Sequence, residues 1–270
     1  MSSVWREVGD RVWIRRYEAL DQTIGVIGDP GGELLCVIDT RASHRLADEL
    51  RAELSQLPGR VAAVVNTHGH WDHVFGNARF RDALIHGHVR CAEMITLHGE
   101  EQRQRLLERY SPETAEQFRE VELVPPNTLV PDDGGSIGLN DRIIDLRYLG
   151  LGHTDNDIVA LVRDADILFA GDLLENAPAP GFGDSYPLAW AETGRRLLGL
   201  VTGAVVPGHG DPFGPAFAER QVTELAALAE LCRDAASGAI GMDEAIQRSP
   251  FPAEPTAEAL QRALLEIQSE

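Results

Sequence analysis

The 270-residue chain carries 24 Lys plus Arg against 43 Asp plus Glu, a formal net charge of -19, and 43% of it is hydrophobic. That apolar content fills a sizeable core, while so negative a field repels phosphate backbones and anionic lipid surfaces; neither nucleic acid nor a membrane is expected as a partner, and a small-molecule substrate is. The opening MSSVWREVGDRVWIRR has acidic residues and no apolar run of signal-peptide length, and no run of about 18 apolar residues occurs elsewhere, so a cytoplasmic location is expected.

Short apolar or β-branched runs at residues 12–14, 23–27 and 34–38, parted by turn formers such as Asp29-Pro30-Gly31-Gly32, predict antiparallel strands. Ser43 suits a helix N-cap, and Leu46, Leu50, Leu54 and Leu57 recur at helical spacing until Pro58-Gly59. Residues 61–65 are apolar throughout and too short for a helix, as in a strand buried on both faces, and they lead into Thr67-His68. Strand, helix and strand imply a right-handed crossover and a sheet with helices on its outer face, hence an α/β class. Residues 97–123 are charged and helical in pattern, an excursion read first as a solvated helical face and second as a substrate lid.

After Gly134-Gly135, residues 142–148, 157–162 and 167–170 supply strands for a second sheet. Residues 217–232, with Val222, Leu225, Leu228 and Cys232 on one stripe, and residues 256–267 predict helices that cover the sheets. With no internal repeat, low-complexity segment or long linker, residues 1–270 read as one domain, with C-terminal helices over 217–270 packed on it. Cys36, Cys91 and Cys232 are far apart and form no CxxC pair, which suits core thiols in a reducing compartment.

The most informative segment is Thr67-His68-Gly69-His70-Trp71-Asp72-His73, with the spacing H-x-H-x-D-H. On an extended segment residues two apart point the same way, so His68 and His70 can converge on one ion, and the following turn can aim Asp72 and His73 at a neighbouring position. Imidazole and carboxylate are ligands that zinc, iron and manganese accept. A lone histidine is usually an ordinary surface or core residue, but packing these four groups at a strand end without a metal would cost on the order of several kcal/mol in desolvation and repulsion. Three later residues sit where strand ends are expected: His153 in Gly150-Leu151-Gly152-His153-Thr154, Asp172 closing Ile167-Leu168-Phe169-Ala170-Gly171, and His209 in Pro207-Gly208-His209-Gly210.

In this order, over roughly residues 5–215, the motifs resemble the metallo-β-lactamase superfamily. The resemblance implies a four-layer αββα sandwich with metals at one edge of the sheets. It implies that His68, His70 and His153 bind one divalent ion, that Asp72, His73 and His209 bind a second, and that Asp172 bridges them, with zinc the first choice and iron or manganese the alternatives. Asp39 matches a family aspartate that supports the ligands from behind. Arg41 stands where a glycine is usual, which puts the local turn in doubt. Exported zinc β-lactamases carry Cys at the position of Asp172, so the match favours the glyoxalase II-like and lactonase-like branches.

The implied chemistry is hydrolysis of a thioester, lactone or other carboxylic ester or amide by a metal-bound hydroxide, the shared water having its pKa lowered from about 15.7 to near 7. Asp72 is a candidate proton shuttle as well as a ligand. In the loop after Asp172, Phe182, Tyr186 and Trp190 read first as packing residues and second as pocket walls, with Tyr186 a candidate donor to an oxyanion. Trp71 could pack or line the mouth; His88 is a weaker candidate for supporting the ligands, and His44 and His98 read as surface residues. Competing readings are a mononuclear iron persulfide dioxygenase, a phosphodiesterase or a β-lactamase on the same fold, and a metal-stabilised scaffold without catalysis. The 97–123 stretch or the C-terminal helices offer a homodimer contact.

Overall fold

The computed structural model describes residues 4–268. Strands β1 (Arg6–Gly9), β2 (Val12–Arg16), β3 (Thr23–Gly28) and β4 (Leu34–Ile38) pair antiparallel in succession. Helix α1 (His44–Leu54) starts at Ser43, whose side chain accepts a hydrogen bond from the Leu46 N–H, and it returns the chain to β5 (Arg60–Val65), parallel to β4 as a crossover requires. The short α2 (Trp71–Val74) follows, then β6 (Leu84–His88), α3 (Val89–Arg109), α4 (Pro112–Arg119) and β7 (Thr128–Val130). These seven strands form one sheet in sequence order.

The second sheet is built from β8 (Gly135–Leu139), β9 (Arg142–Tyr148), β10 (Ile158–Val162), β11 (Ile167–Gly171) and β12 (Ala204–Pro207), in the order β12-β11-β10-β9-β8. Helix α5 (Pro187–Leu198) lies between its last two strands, and α6 (Pro215–Ala236), α7 (Met242–Arg248) and α8 (Ala253–Gln268) end the chain.

The period of two along each strand sorts side chains between layers. Cys36 and Ile38 of β4 join Ala160 and Val162 of β10 and Phe169 of β11 in the core between the sheets. Leu35 and Val37 face the other way, onto Ala47, Leu50 and Leu54 of α1. On the far side, Val159, Leu161 and Leu168 pack against Trp190 of α5, Val222 and Leu225 of α6 and Leu260 of α8. Helices, sheet, sheet and helices make the expected αββα sandwich. The cysteines are buried and free, as expected.

Several elements differ from the sequence reading. Strands β1, β7, β8 and β12, three to five residues long, are not among those expected from the sequence. The 97–123 stretch is the second half of a helix that already begins at Val89, and it breaks at Ser111, which caps α4 with Pro112 in the first turn. His44 is not a surface residue: it is 7% exposed, because the segment after α4 folds back over α1 and the Glu122 N–H donates to its Nε2 at 3.0 Å. Among the described residues no helix is long and apolar enough to cross a membrane.

Two of the parallel pairs, β4 with β5 and β11 with β12, send their carboxyl ends to one edge of the sandwich, with Asp39, His68, Asp172 and His209 in the loops that follow. How closely the sheets approach is fixed at Gly25, where an added Cβ would lie 2.1 Å from Cε1 of Phe169. Gly25→Ala is expected to lower the unfolding free energy by about 1–3 kcal/mol in urea; an unchanged midpoint would contradict so tight a sheet contact.

Candidate metal centre

Seven side chains from four separate stretches of the sequence meet at this edge. His68 Nε2 lies 3.0 Å from His70 Nδ1, which lies 2.9 Å from His153 Nε2. Beside them, His209 Nε2 is 3.2 Å from Asp72 Oδ2 and 3.3 Å from His73 Nε2. Between the two groups sits Asp172: its Oδ2 is 3.4 Å from both His73 Nε2 and His209 Nε2, 3.5 Å from His153 Nε2 and 3.7 Å from His68 Nε2. His68 and His70 converge as expected, but not by strand alternation. Residues 67–69 are a bend, and the two rings meet through different nitrogens.

Backbone ties lock the loops that carry these groups. Ile158 N–H donates to the Thr67 carbonyl at 2.8 Å and Gly69 N–H to Asn156 Oδ1 at 2.8 Å, fixing the His153 loop against the His68 loop. Thr23 N–H donates to the Gly208 carbonyl at 2.7 Å, holding the His209 loop to the end of β3. Gly208 has no room for a side chain, since a Cβ would stand 2.1 Å from Asp172 Oδ1.

Four of the five imidazoles have their outward nitrogen engaged, which leaves the inward one free to bind. His73 Nδ1 donates to Asp39 Oδ2 at 2.8 Å, His209 Nδ1 to the Leu20 carbonyl at 2.7 Å, His70 Nε2 to Asp184 at 2.9 Å and His68 Nδ1 to the Thr67 hydroxyl at 3.1 Å. Thr67 in turn donates to Asp39 from both its N–H and its hydroxyl, at 2.8 Å each. Asp39 is therefore the support expected of it. The turn in doubt at Arg41 keeps the left-handed conformation, with φ 70°, and the guanidinium is stacked 3.6 Å from the Tyr17 ring centroid. That stacking offsets backbone strain of about 1–2 kcal/mol.

The cluster calls for positive charge. Burial pushes the His73 and His209 imidazoles down, but Asp172 and Asp72 more than reverse this, lifting His73 well above its usual value and His209 to about 12. Burial also pushes Asp172 up, yet His73 and His209 hold it well below the carboxylate range. His68 and His153 are instead depressed, chiefly by burial, His153 to about 4, so they are neutral donors at neutral pH. Asp172 Oδ1 and His153 Nδ1 are buried without hydrogen-bond partners. Inward lone pairs, crowded carboxylates and unpaired atoms fit a cationic cofactor: His68, His70 and His153 could hold one ion, Asp72, His73 and His209 another, with Asp172 reaching both.

A cavity of about 1000 Å³ opens over the cluster. Trp71 lines it and packs edge-on against Phe118, and Tyr186 lines it from the loop before α5. Phe182 and Trp190 are fully buried in the core beneath, as the packing reading held. His98 is exposed at the rim, while His88 stacks on Tyr148 and bonds to Asp132, not to any of the seven. The 97–123 excursion is more than a solvated face. Leu97, Gln102, Arg105 and Arg109 of α3 line the cavity, and Gln102 bonds both the Trp71 N–H and the Gly69 carbonyl at 3.0 Å. Asp184 and the buried Glu175, neither expected from the sequence, also line the cavity. Both are loop carboxylates that spacing alone does not distinguish from solvated ones.

A family model described as the metallo-beta-lactamase superfamily matches residues 18–209, a span that contains all seven side chains. The chain belongs to the metallo-β-lactamase superfamily. The type 2 metallo-beta-lactamase of Bacteroides fragilis is 33% identical over 87 residues, 30% of this chain and only 35% of that protein. Among solved structures, a double mutant of the sec-alkyl sulfatase PisA1 aligns with TM-score 0.75 at 16% identity, over 98% of this chain and 50% of that one. The metallo-beta-lactamase of Erythrobacter litoralis aligns with TM-score 0.60 at 18% identity, over 83% and 96% respectively. Identities this low speak to the shared fold alone.

With their raised pKa values, His73 and His209 hold protons at neutral pH that a divalent ion must displace. Titrating zinc into the metal-free protein is expected to release protons, read as a buffer-dependent heat, and the apparent affinity should weaken as pH falls from about 8 to 6. Proton uptake, or an affinity indifferent to pH, would contradict this electrostatic arrangement.

Proposed function

We propose that the chain is a hydrolase using two divalent cations, zinc foremost and iron or manganese as alternatives, on a small-molecule thioester, lactone or other carboxylic ester or amide. The observation that carries this reading is the placement of Asp172 Oδ2 within 3.7 Å of four imidazole nitrogens, two from each group. One carboxylate can then serve both positions, His68, His70 and His153 holding the first cation and Asp72, His73 and His209 the second. Cations so held would supply ionised water at neutral pH and polarise the group under attack.

The chain's own residues do the rest. Asp39 and Asp184 hold the His73 and His70 rings in one tautomer and one orientation. Asp72, at the cavity wall, carries the proton from the attacking water toward the leaving group. The Tyr186 hydroxyl, kept protonated because burial raises its pKa, donates to the substrate oxygen as charge develops there. No side chain need act as nucleophile. The cavity suits a metabolite-sized molecule, and the net charge of -19 disfavours nucleic acid. A cytoplasmic setting is part of the proposal, in keeping with three free, buried cysteines.

A mononuclear iron enzyme needs only two histidines and a carboxylate, whereas Asp72, His73 and His209 form a further group with ligand atoms within 4.8 Å of one another, which favours two cations. The test is a panel of thioesters, lactones, β-lactams, phosphodiesters and secondary alkyl sulfates, assayed with and without chelator. Ester or thioester turnover should vanish on chelation and return with zinc, and His68→Ala or Asp172→Ala should lower it at least about a hundredfold. Undiminished turnover after metal removal, or activity confined to phosphodiesters, would refute the reading.

A further inference from the structure

The loop after β11 brings a second carboxylate to the centre. Glu175, three positions beyond Asp172, is 6% exposed and lines the same cavity. One of its oxygens, an oxygen of Asp172 and a nitrogen of His209 lie within 4.8 Å of one another. Its Oε2 is buried and has no hydrogen-bond partner, a costly state for a group with no structural task.

Ordinary structural roles do not account for this side chain. Gln221 of α6 holds the main chain of residue 175 from both sides, accepting from its N–H at 2.9 Å and donating to its carbonyl at 2.8 Å, so the loop is anchored without the carboxylate. Nor does Glu175 orient His209, whose Nδ1 is already committed to the Leu20 carbonyl while its Nε2 faces Asp72 and Asp172. What remains is a carboxylate presented, by a fixed backbone, to the atoms assigned to the second cation.

We infer that Glu175 is a ligand of the second cation, beside Asp172 and His209; this rests on the two-cation reading above. The two positions then differ in chemistry. The first offers three imidazoles and the shared Asp172, whereas the second draws on two groups that meet at His209, one with Asp72 and His73 and the other with Asp172 and Glu175. Oxygen donors suit manganese and other hard ions, imidazoles suit zinc, so the second position is the one that tolerates manganese.

The test counts and weighs metal independently of turnover. Wild type, Glu175→Gln and Glu175→Ala are dialysed against graded free zinc or manganese, bound metal is measured per chain, and visible absorption is followed on cobalt loading. Wild type should bind two ions. Both variants should keep one with unchanged affinity and bind the other at least about tenfold more weakly, manganese suffering more than zinc. Metal-free unfolding midpoints should match wild type, because Gln221 still holds the loop; the isosteric Gln variant keeps the test valid should the Ala variant fold poorly. Two ions bound with wild-type affinities in both variants would overturn the role of Glu175 and leave the two-cation reading standing. A single ion in wild type would overturn both.

Discussion

A carboxylate 5% exposed, set among four imidazoles, is the constraint on which the rest depends. Asp172 cannot be solvated there, and with Asp72 and Asp39 nearby the region holds more negative charge than neutral imidazoles can balance. Positive charge must enter, as protons on His73 and His209 or as metal ions. The αββα sandwich makes the crowding achievable. Two parallel strand pairs, one in each sheet, end at one edge, and main-chain hydrogen bonds between the loops hold the groups within a few ångströms. Without such bracing the same charges would drift apart into water.

Rigidity continues outward from the ligating atoms. Thr67, Asp39, Asp184 and the Leu20 carbonyl each take an outward ring nitrogen or brace the group that does, so ring orientation does not wait for a cation to arrive. Asp39 and Arg41 both sit at positive φ, 65° and 70°, in the turn that brings the Asp39 carboxylate beneath His73. Strain placed beside a functional group and compensated by stacking on Tyr17 is what such positions commonly show.

Much of this was legible in the residues themselves. H-x-H-x-D-H directly after an apolar strand carries its own chemistry; the apolar run at residues 34–38 becomes a strand buried on both faces, and Leu50 and Leu54 of the helical stripe pack on one of them. Other features depend on distant chain. His44 is covered by a segment 78 residues away, α3 becomes a cavity wall through Gln102 and the loop it meets, and β12 is too short to announce itself. Glu175 was hidden for the same reason. A glutamate in a loop is ordinarily solvated, and only Asp172 on one side with Gln221 on the other makes it exceptional. The doubt over the turn at Arg41 is resolved by packing the sequence does not show: the arginine adopts positive φ with its guanidinium over the Tyr17 ring.

In the proposed function, one oxygen of Asp172 stands between two cation positions. Anomalous diffraction across the zinc edge, from crystals grown with zinc in excess, tests it most directly. Two peaks should flank Asp172 Oδ2, one against His68, His70 and His153 and the other against Asp72, His73 and His209. No peak at that edge of the sandwich, or a single ion with the second group of side chains turned away from it, would contradict the arrangement.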